Sequence, residues 1–242
     1  MLDIPLEDLL SLLIIIISII INLIVFFKSY KAYKANKMTQ TILFGLTSLT
    51  MAFAMIFLVG EKIFLSSLLH DGEMGLLIGA IAICLSGFTV AFVDSFAFNM
   101  AWPTKYKIIT GIAIIPIVIY LLLWLFDPLR TVEWSGVPES GEIVVGPLTT
   151  IVVYFTLVPL LVIPVLVFFY YAIKVRNQSP ISSKRSWLLG FGVALISFAY
   201  IFEIIGLAAI FEVPFLPTFL RIFFSIGALL MYWALFKIKA KK

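Results

Sequence analysis

Long apolar runs alternate with short polar connections along this chain, and the length of the runs decides what they are. Seven runs, at roughly residues 9–28, 39–60, 75–99, 108–126, 148–173, 187–211 and 215–236, each reach about the 20 residues that an α-helix needs to cross a hydrocarbon core of about 30 Å. They are continuous and rich in Leu, Ile and Phe, without the period-two alternation of an outer-membrane barrel strand, so the pattern predicts helices. The longest connection, Asp127 to Pro147, is shorter than the roughly 50 residues of a small soluble domain, which predicts a single transmembrane domain over residues 1–242. Inside that connection, Thr131 to Trp134, the turn-forming stretch Ser135 to Gly141, and Glu142 to Val145 predict a short β-hairpin capping the bundle between helices 4 and 5. The expected fold class is therefore all-α integral membrane, a seven-transmembrane-helix bundle.

Charge then orients the bundle. Only 12% of residues are charged, about half the share in soluble domains, and fourteen of the 17 Lys and Arg fall into four clusters. Lys28, Lys31, Lys34 and Lys37 follow the first run, Lys105 and Lys107 the third, Lys174, Arg176, Lys184 and Arg185 the fifth, and Lys237, Lys239, Lys241 and Lys242 the seventh. All four clusters lie on one side, which the positive-inside rule makes cytoplasmic, with the N-terminus outside and the C-terminus inside. Apart from Asp94 and Glu203, every acidic residue falls on or at the other side, including Asp3, Glu61, Asp71, Asp127, Glu133, Glu142 and Glu212. The expected location is the cell membrane, as a multi-pass protein. The first run lacks a basic leader and a small-residue cleavage site, so it is expected to remain as a helix.

The net charge of +4 does not point to nucleic acid, because the basic residues form short juxtamembrane groups whose natural neighbours are membrane lipids, the anionic inner leaflet above all. Cys84, the one cysteine, excludes an internal disulfide, and His70, the one histidine, cannot build a metal site alone.

Candidate chemistry lies where charge is costly, inside the spans. Glu203 stands 16 residues outward from Trp187, and Arg221 stands 16 residues outward from Lys237, so each is about 24 Å above the inner edge at 1.5 Å per residue. The short turn around Pro214 to Pro217 makes helices 6 and 7 antiparallel neighbours, and the matching depth predicts a Glu203–Arg221 ion pair, with Glu212 as a rival partner for Arg221. Tyr200 and Gly206 share the face of Glu203, and Ser225, Ala228 and Tyr232 share the face of Arg221, a small and hydroxyl-bearing surround. The pair reads either as a clasp that fixes register or as a ligand or switch site.

Asp94 lies about 12 Å from Trp102 along the third helix, on a face with Ala91, Gly87 and Ser86. It reads either as a proton or ion site needing Lys105, Lys174 or a tyrosine as partner, or as a residue that simply reaches the inner interface. Pro116, Pro159 and Pro164 are expected to kink helices 4 and 5. Trp102, Trp124, Trp134, Trp187 and Trp233 fall near predicted membrane edges and are assigned to an anchoring belt.

The seven-helix, N-outside layout resembles the gross plan of microbial rhodopsins, G-protein-coupled receptors and kinase-linked seven-helix sensor regions, in topology only. The rhodopsin resemblance would imply a lysine midway along the last helix, whereas Phe223, Phe224, Ser225, Ile226, Gly227 and Ala228 stand there, so no retinal Schiff base and no cofactor is expected. The receptor-type Asp-Arg-Tyr is absent too, since Asp94 is followed by Ser95 and Phe96.

Two classes of function follow. As a receptor-like sensor, the protein would take a small or lipid-like ligand in an outer-half pocket among helices 3, 5, 6 and 7, and signal through a separate membrane or cytoplasmic protein partner. As a proton- or ion-coupled transporter or channel subunit, it would use Asp94 and Glu203 as stations on a path. The outer-half position of the charge pair and the absence of an acidic string across a span favour the sensor. Two separated carboxylates without a His or Cys cluster give an enzyme little to build on.

Overall fold

The structure, a computed structural model, describes residues 6–66, 69–135, 140–205 and 216–238. Among these, seven helices are long and apolar enough to cross a membrane. They are α1 (Leu6–Asn36), α2 (Thr39–Phe64), α3 (Gly72–Ala101), α4 (Tyr106–Phe126), α5 (Pro147–Lys174), α6 (Pro180–Ile205) and α7 (Leu216–Phe236). The first five contain the first five apolar runs, α6 and α7 hold the described parts of the last two, and the largest differences are at the lysine-rich ends. Helix α1 continues to Asn36 because Lys28, Lys31 and Lys34 are good helix formers whose stems extend it past the apolar run. Helix α6 starts at Pro180, one residue after Ser179, whose Oγ accepts the Ser182 amide at 3.4 Å.

Neighbouring helices pack in the sequence α1, α2, α3, α5, α6, α7 and back to α1, with α4 lying on the outer side of α3 and α5. The core of the ring is Phe44, Met51, Phe96, Phe168, Leu189, Val193 and Met231, all fully or almost fully buried. A second cluster forms where Ala113, Ile117, Tyr120 and Trp124 of α4 meet Ala80, Val90, Ala91, Leu157, Leu160 and Leu161. The opposite faces stay apolar and uncovered, with Phe126 and Phe155 each 78% exposed. Such a surface suits hydrocarbon and not water. Helices α6 and α7 cross at glycines, and a Cβ built on Gly227 would lie 2.5 Å from the Gly192 carbonyl oxygen. Side chains are absent there because the two backbones occupy the space.

In α5 the residues Val153–Leu157 form a π turn. Pro159 follows two residues after its end and has no amide to offer the carbonyl four residues earlier, so the backbone widens on its N-terminal side. At Pro116 and Pro164 the helices run on.

The expected hairpin is present as β1 (Thr131–Ser135) and β2 (Ser140–Val144), antiparallel, with Glu133 opposite Glu142. The ladder extends into the stretch assigned to the turn, taking in Ser135, Ser140 and Gly141. It is tied down at two points. The Gly141 amide donates to the Leu65 carbonyl at 2.6 Å, and Asp127 accepts from the Leu129 amide (2.9 Å), the Gly146 amide (2.7 Å) and the Thr149 hydroxyl (2.6 Å).

The tryptophan belt needs correction. Trp187 and Trp233 are exposed as an anchor requires, but Trp124 is buried, with the Arg130 guanidinium 4.6 Å from its ring centre. Trp134 stacks on His70 at 3.7 Å within the hairpin cap. Nearness to a membrane edge does not say which way a ring faces.

Candidate functional site

Helix α1 carries a stripe that looks unremarkable in a hydropathy profile. Ser11, Ile15, Ser18, Asn22, Val25 and Ser29 recur at alternating spacings of four and three, and every one is at most 6% exposed. Leu12, Leu13, Ile16, Ile17, Ile20 and Ile24 between them face outward. A four-three repeat keeps one seam of a helix against a neighbour, and its small polar members allow close approach with hydrogen bonds across.

At its far end Ser29 lies against Gly45 of α2; for the rest the polar neighbour is α7, which contributes three residues marked out by the sequence. Ser18 Oγ and Ser225 Oγ share a hydrogen bond of 2.5 Å, and Asn22 Nδ2 donates to the Ser18 carbonyl at 2.9 Å. Buried Arg221 donates through Nη1 to the buried Ser11 hydroxyl. Lys28 Nζ donates to the Tyr232 hydroxyl at 2.7 Å and lies 4.7 Å from its ring centre. The contacts rise together in sequence on both helices, so α1 and α7 run parallel and the seam has polar rungs along its length. The predicted face of Arg221, Ser225 and Tyr232 is therefore a contact face, directed at α1. Sequence reasoning missed Ser11, Ser18 and Asn22, although their spacing within an apolar run is a readable signal.

Tyr200 links α6 to two other helices. Its hydroxyl donates to Ser86 of α3 at 3.1 Å, and its ring meets Phe224 of α7 edge-on, with centres 5.2 Å apart at 86°. One turn beyond that contact on each helix stand Glu203 and Arg221. The Glu203 side chain, Gly206 and Glu212 lie outside the described residues, and with them the predicted ion pair.

Asp94 does not reach the interface, which corrects one of its two readings. Helix α3 continues to Ala101, which places Asp94 two turns inside, and the residue is 0% exposed. Val90, Ala91, Val93 and Ala97 on its own helix are all buried around it. Among the described residues neither carboxyl oxygen has a hydrogen-bond partner, so the proposed help from Lys105 or Lys174 is not there. Lys105 is exposed at the start of α4, and Lys174 lies 5.8 Å from the Tyr170 ring centre. The Ser29 and Ser186 hydroxyls are buried without partners as well. Ser29, Asp94 and Ser186 stand seven, seven and six residues from the basic ends of their helices. Buried polar groups are almost always satisfied, so three such side chains toward one end of the bundle are unusual. Phe96 packs against Phe44 (5.7 Å) and Phe168 (5.4 Å), and Phe44 meets Phe236 (6.4 Å).

Two open clefts of about 410 Å³ each lie elsewhere than in the outer half among helices 3, 5, 6 and 7. One is at the base of the hairpin, beside Phe126, Asp127 and Pro147; the other is at the basic end, beside Arg176, Lys184 and Trp187. Among the described residues no three His, Cys, Asp or Glu side chains gather as a metal site would require. No protein-family model matches the chain, and no curated protein is similar to it in sequence. The geometry and the sequence pattern establish a multi-pass membrane protein built on a seven-helix bundle.

Proposed function

We propose that this protein is a receptor-like sensor of the cell membrane, with its basic end in the cytoplasm, that responds to a small or lipid-like ligand and passes the signal to a separate protein partner. The observation that carries the reading is the polar seam between α1 and α7, which runs from Arg221 and Ser11 through Ser18 and Ser225 to Lys28 and Tyr232. Two parallel helices joined by exchangeable hydroxyl and cationic hydrogen bonds can slide or rotate between discrete arrangements, and a change near Arg221 then reaches the lysine-rich end. Glu203 completes the switch as the countercharge of Arg221. The interlocked Phe44, Phe96 and Phe168 also favour a sensor, because a path through Asp94 toward the basic end would have to displace them.

The test uses a fluorophore on a cysteine placed at exposed Lys31 in a Cys84→Ser background. Arg221→Gln should change its emission while circular dichroism shows the bundle intact. An intact bundle with unchanged emission would mean that the seam does not transmit.

A proton- or ion-coupled transporter is the second reading, and buried, unpartnered Asp94 is the observation that favours it. Proteoliposomes holding a pH dye separate the two: proton flux in the unmodified protein that Asp94→Asn abolishes would replace the sensor with a transporter.

A further inference from the structure

Arg176, in the connection after α5, and the first turns of α6 line the open cleft at the basic end, with Pro180, Ser183, Lys184, Trp187 and Phe191. Its shape is fixed by specific contacts. The Ser183 hydroxyl donates to the Ala172 carbonyl at 2.8 Å, which holds the start of α6 against the end of α5. Two turns further along α6, the Phe169 ring fills the place a Cβ would take on Gly190, with the nearest ring carbon 2.4 Å from that position. Phe169 in turn packs against Trp187 (5.0 Å) and Phe191 (5.3 Å), forming an aromatic wall.

The cations around this cleft divide by use. Arg185 is spent internally, donating through Nε and Nη2 to the Ile238 carbonyl beyond the end of α7. Lys174 lies over Tyr170. Arg176 and Lys184 are exposed at the mouth of the cleft, and no carboxylate pairs with them among the described residues. None of the connections on this side contains an acidic residue. Below the cations, Trp187 and Phe191 are 38% and 52% exposed, and Phe191 lies about 10 Å deeper than Lys184 along the helix. Positive charge at the mouth, an indole at the interface and an open phenyl ring at acyl depth match the order of groups along a phospholipid.

We infer that this cleft binds an anionic glycerophospholipid. Arg176 and Lys184 flank the phosphate, and the acyl chains lie along Trp187 and Phe191. The inference needs only the membrane placement of the helices and stands apart from the sensor reading.

Brominated lipids quench nearby tryptophan, so the full-length protein reconstituted in phosphatidylcholine vesicles and titrated with brominated phosphatidylglycerol reports occupancy. The component of quenching lost in Trp187→Phe belongs to this cleft. Arg176→Gln with Lys184→Gln should weaken that component about 25-fold, about fivefold for each cation near an anionic surface. Lys105→Gln with Lys107→Gln, which removes two exposed cations elsewhere on the same side, should leave it unchanged. Equal quenching by brominated phosphatidylcholine, an unaltered titration in the first double variant, or equal weakening in the second would each overturn the site. Competition by soluble glycerol phosphate at millimolar concentration would do the same, by showing that no acyl chain is needed.

Discussion

The crossing of α6 and α7 makes a demand that one methyl group can test. A Cβ on Gly227 would stand 2.5 Å from the Gly192 carbonyl oxygen, where ordinary contact begins at 3.4 Å, a shortfall of about 0.9 Å. Ile196 presses the same point from 2.6 Å. The obstacle is backbone, so no rotamer change relieves it and the helices must part. A gap of that size forfeits a quarter to a half of the contact energy of the atoms around it. We place the overpacking cost of Gly227→Ala near the top of the usual range, about 3 kcal/mol, offset by about 0.5–1 kcal/mol of helix propensity. The net loss is about 2 kcal/mol, a fall in Tm of about 4–8 °C for a domain of this size, read by circular dichroism at fixed detergent concentration. Gly111→Ala is the control, since nothing lies within 4 Å of that position and only the propensity gain applies, raising Tm by about 1–4 °C. A Gly227→Ala protein as stable as the unmodified one, or stabilised like Gly111→Ala, would refute the close crossing.

The other predictions concern hydrogen bonds and charge. A double-mutant cycle of Ser18→Ala and Ser225→Ala should give a coupling of about 0.6 kcal/mol and at most about 1.7, and strict additivity of the two losses would remove that rung from the seam. Glu203→Gln should destabilise the protein in detergent, and adding Arg221→Gln should recover part of the loss if the two charges pair; additive losses would show that they do not. Asp127 lies in the connection between α4 and α5, where the Thr149 hydroxyl first, then the Leu129 and Gly146 amides and nearby Arg130, holds its carboxyl below the ordinary range. Its contribution is complete above about pH 4–5 and is lost as pH falls through the lowered native value. After division by the intrinsic exchange rate at each pH, protection of the amides at the base of the hairpin should therefore fall on acidification in the unmodified protein and stay nearly constant in Asp127→Asn; parallel behaviour would count against the anchor.

The spans and the hairpin were legible because hydrocarbon thickness sets the length of a run and turn residues mark its breaks. Arg221, Ser225 and Tyr232 were legible as an inward face because a cation within a span demands company. What they face was hidden, since a serine lowers the hydropathy of an apolar run only slightly, and the meaning of Ser11, Ser18 and Asn22 lies in their phase. The position of Asp94, about 12 Å from Trp102, was legible, since α3 does end at Ala101. Its burial was not, because the helices that cover it are chosen by packing that spacing along one helix does not record. Trp124 and Trp134 show that a position near an edge carries no information about direction.

The rungs of the seam join residues 204 to 210 positions apart, the first helix to the last. During synthesis α1 enters the bilayer long before α7 exists, and until then Ser11 and Ser18 have no partner across the interface. Assembly therefore finishes by closing a circle, a late step that depends on the whole chain. A ribosome stalled before the seventh helix would leave a nascent protein whose first helix shows bare hydroxyls to lipid, a mark by which membrane chaperones and proteases can tell unfinished copies from finished ones.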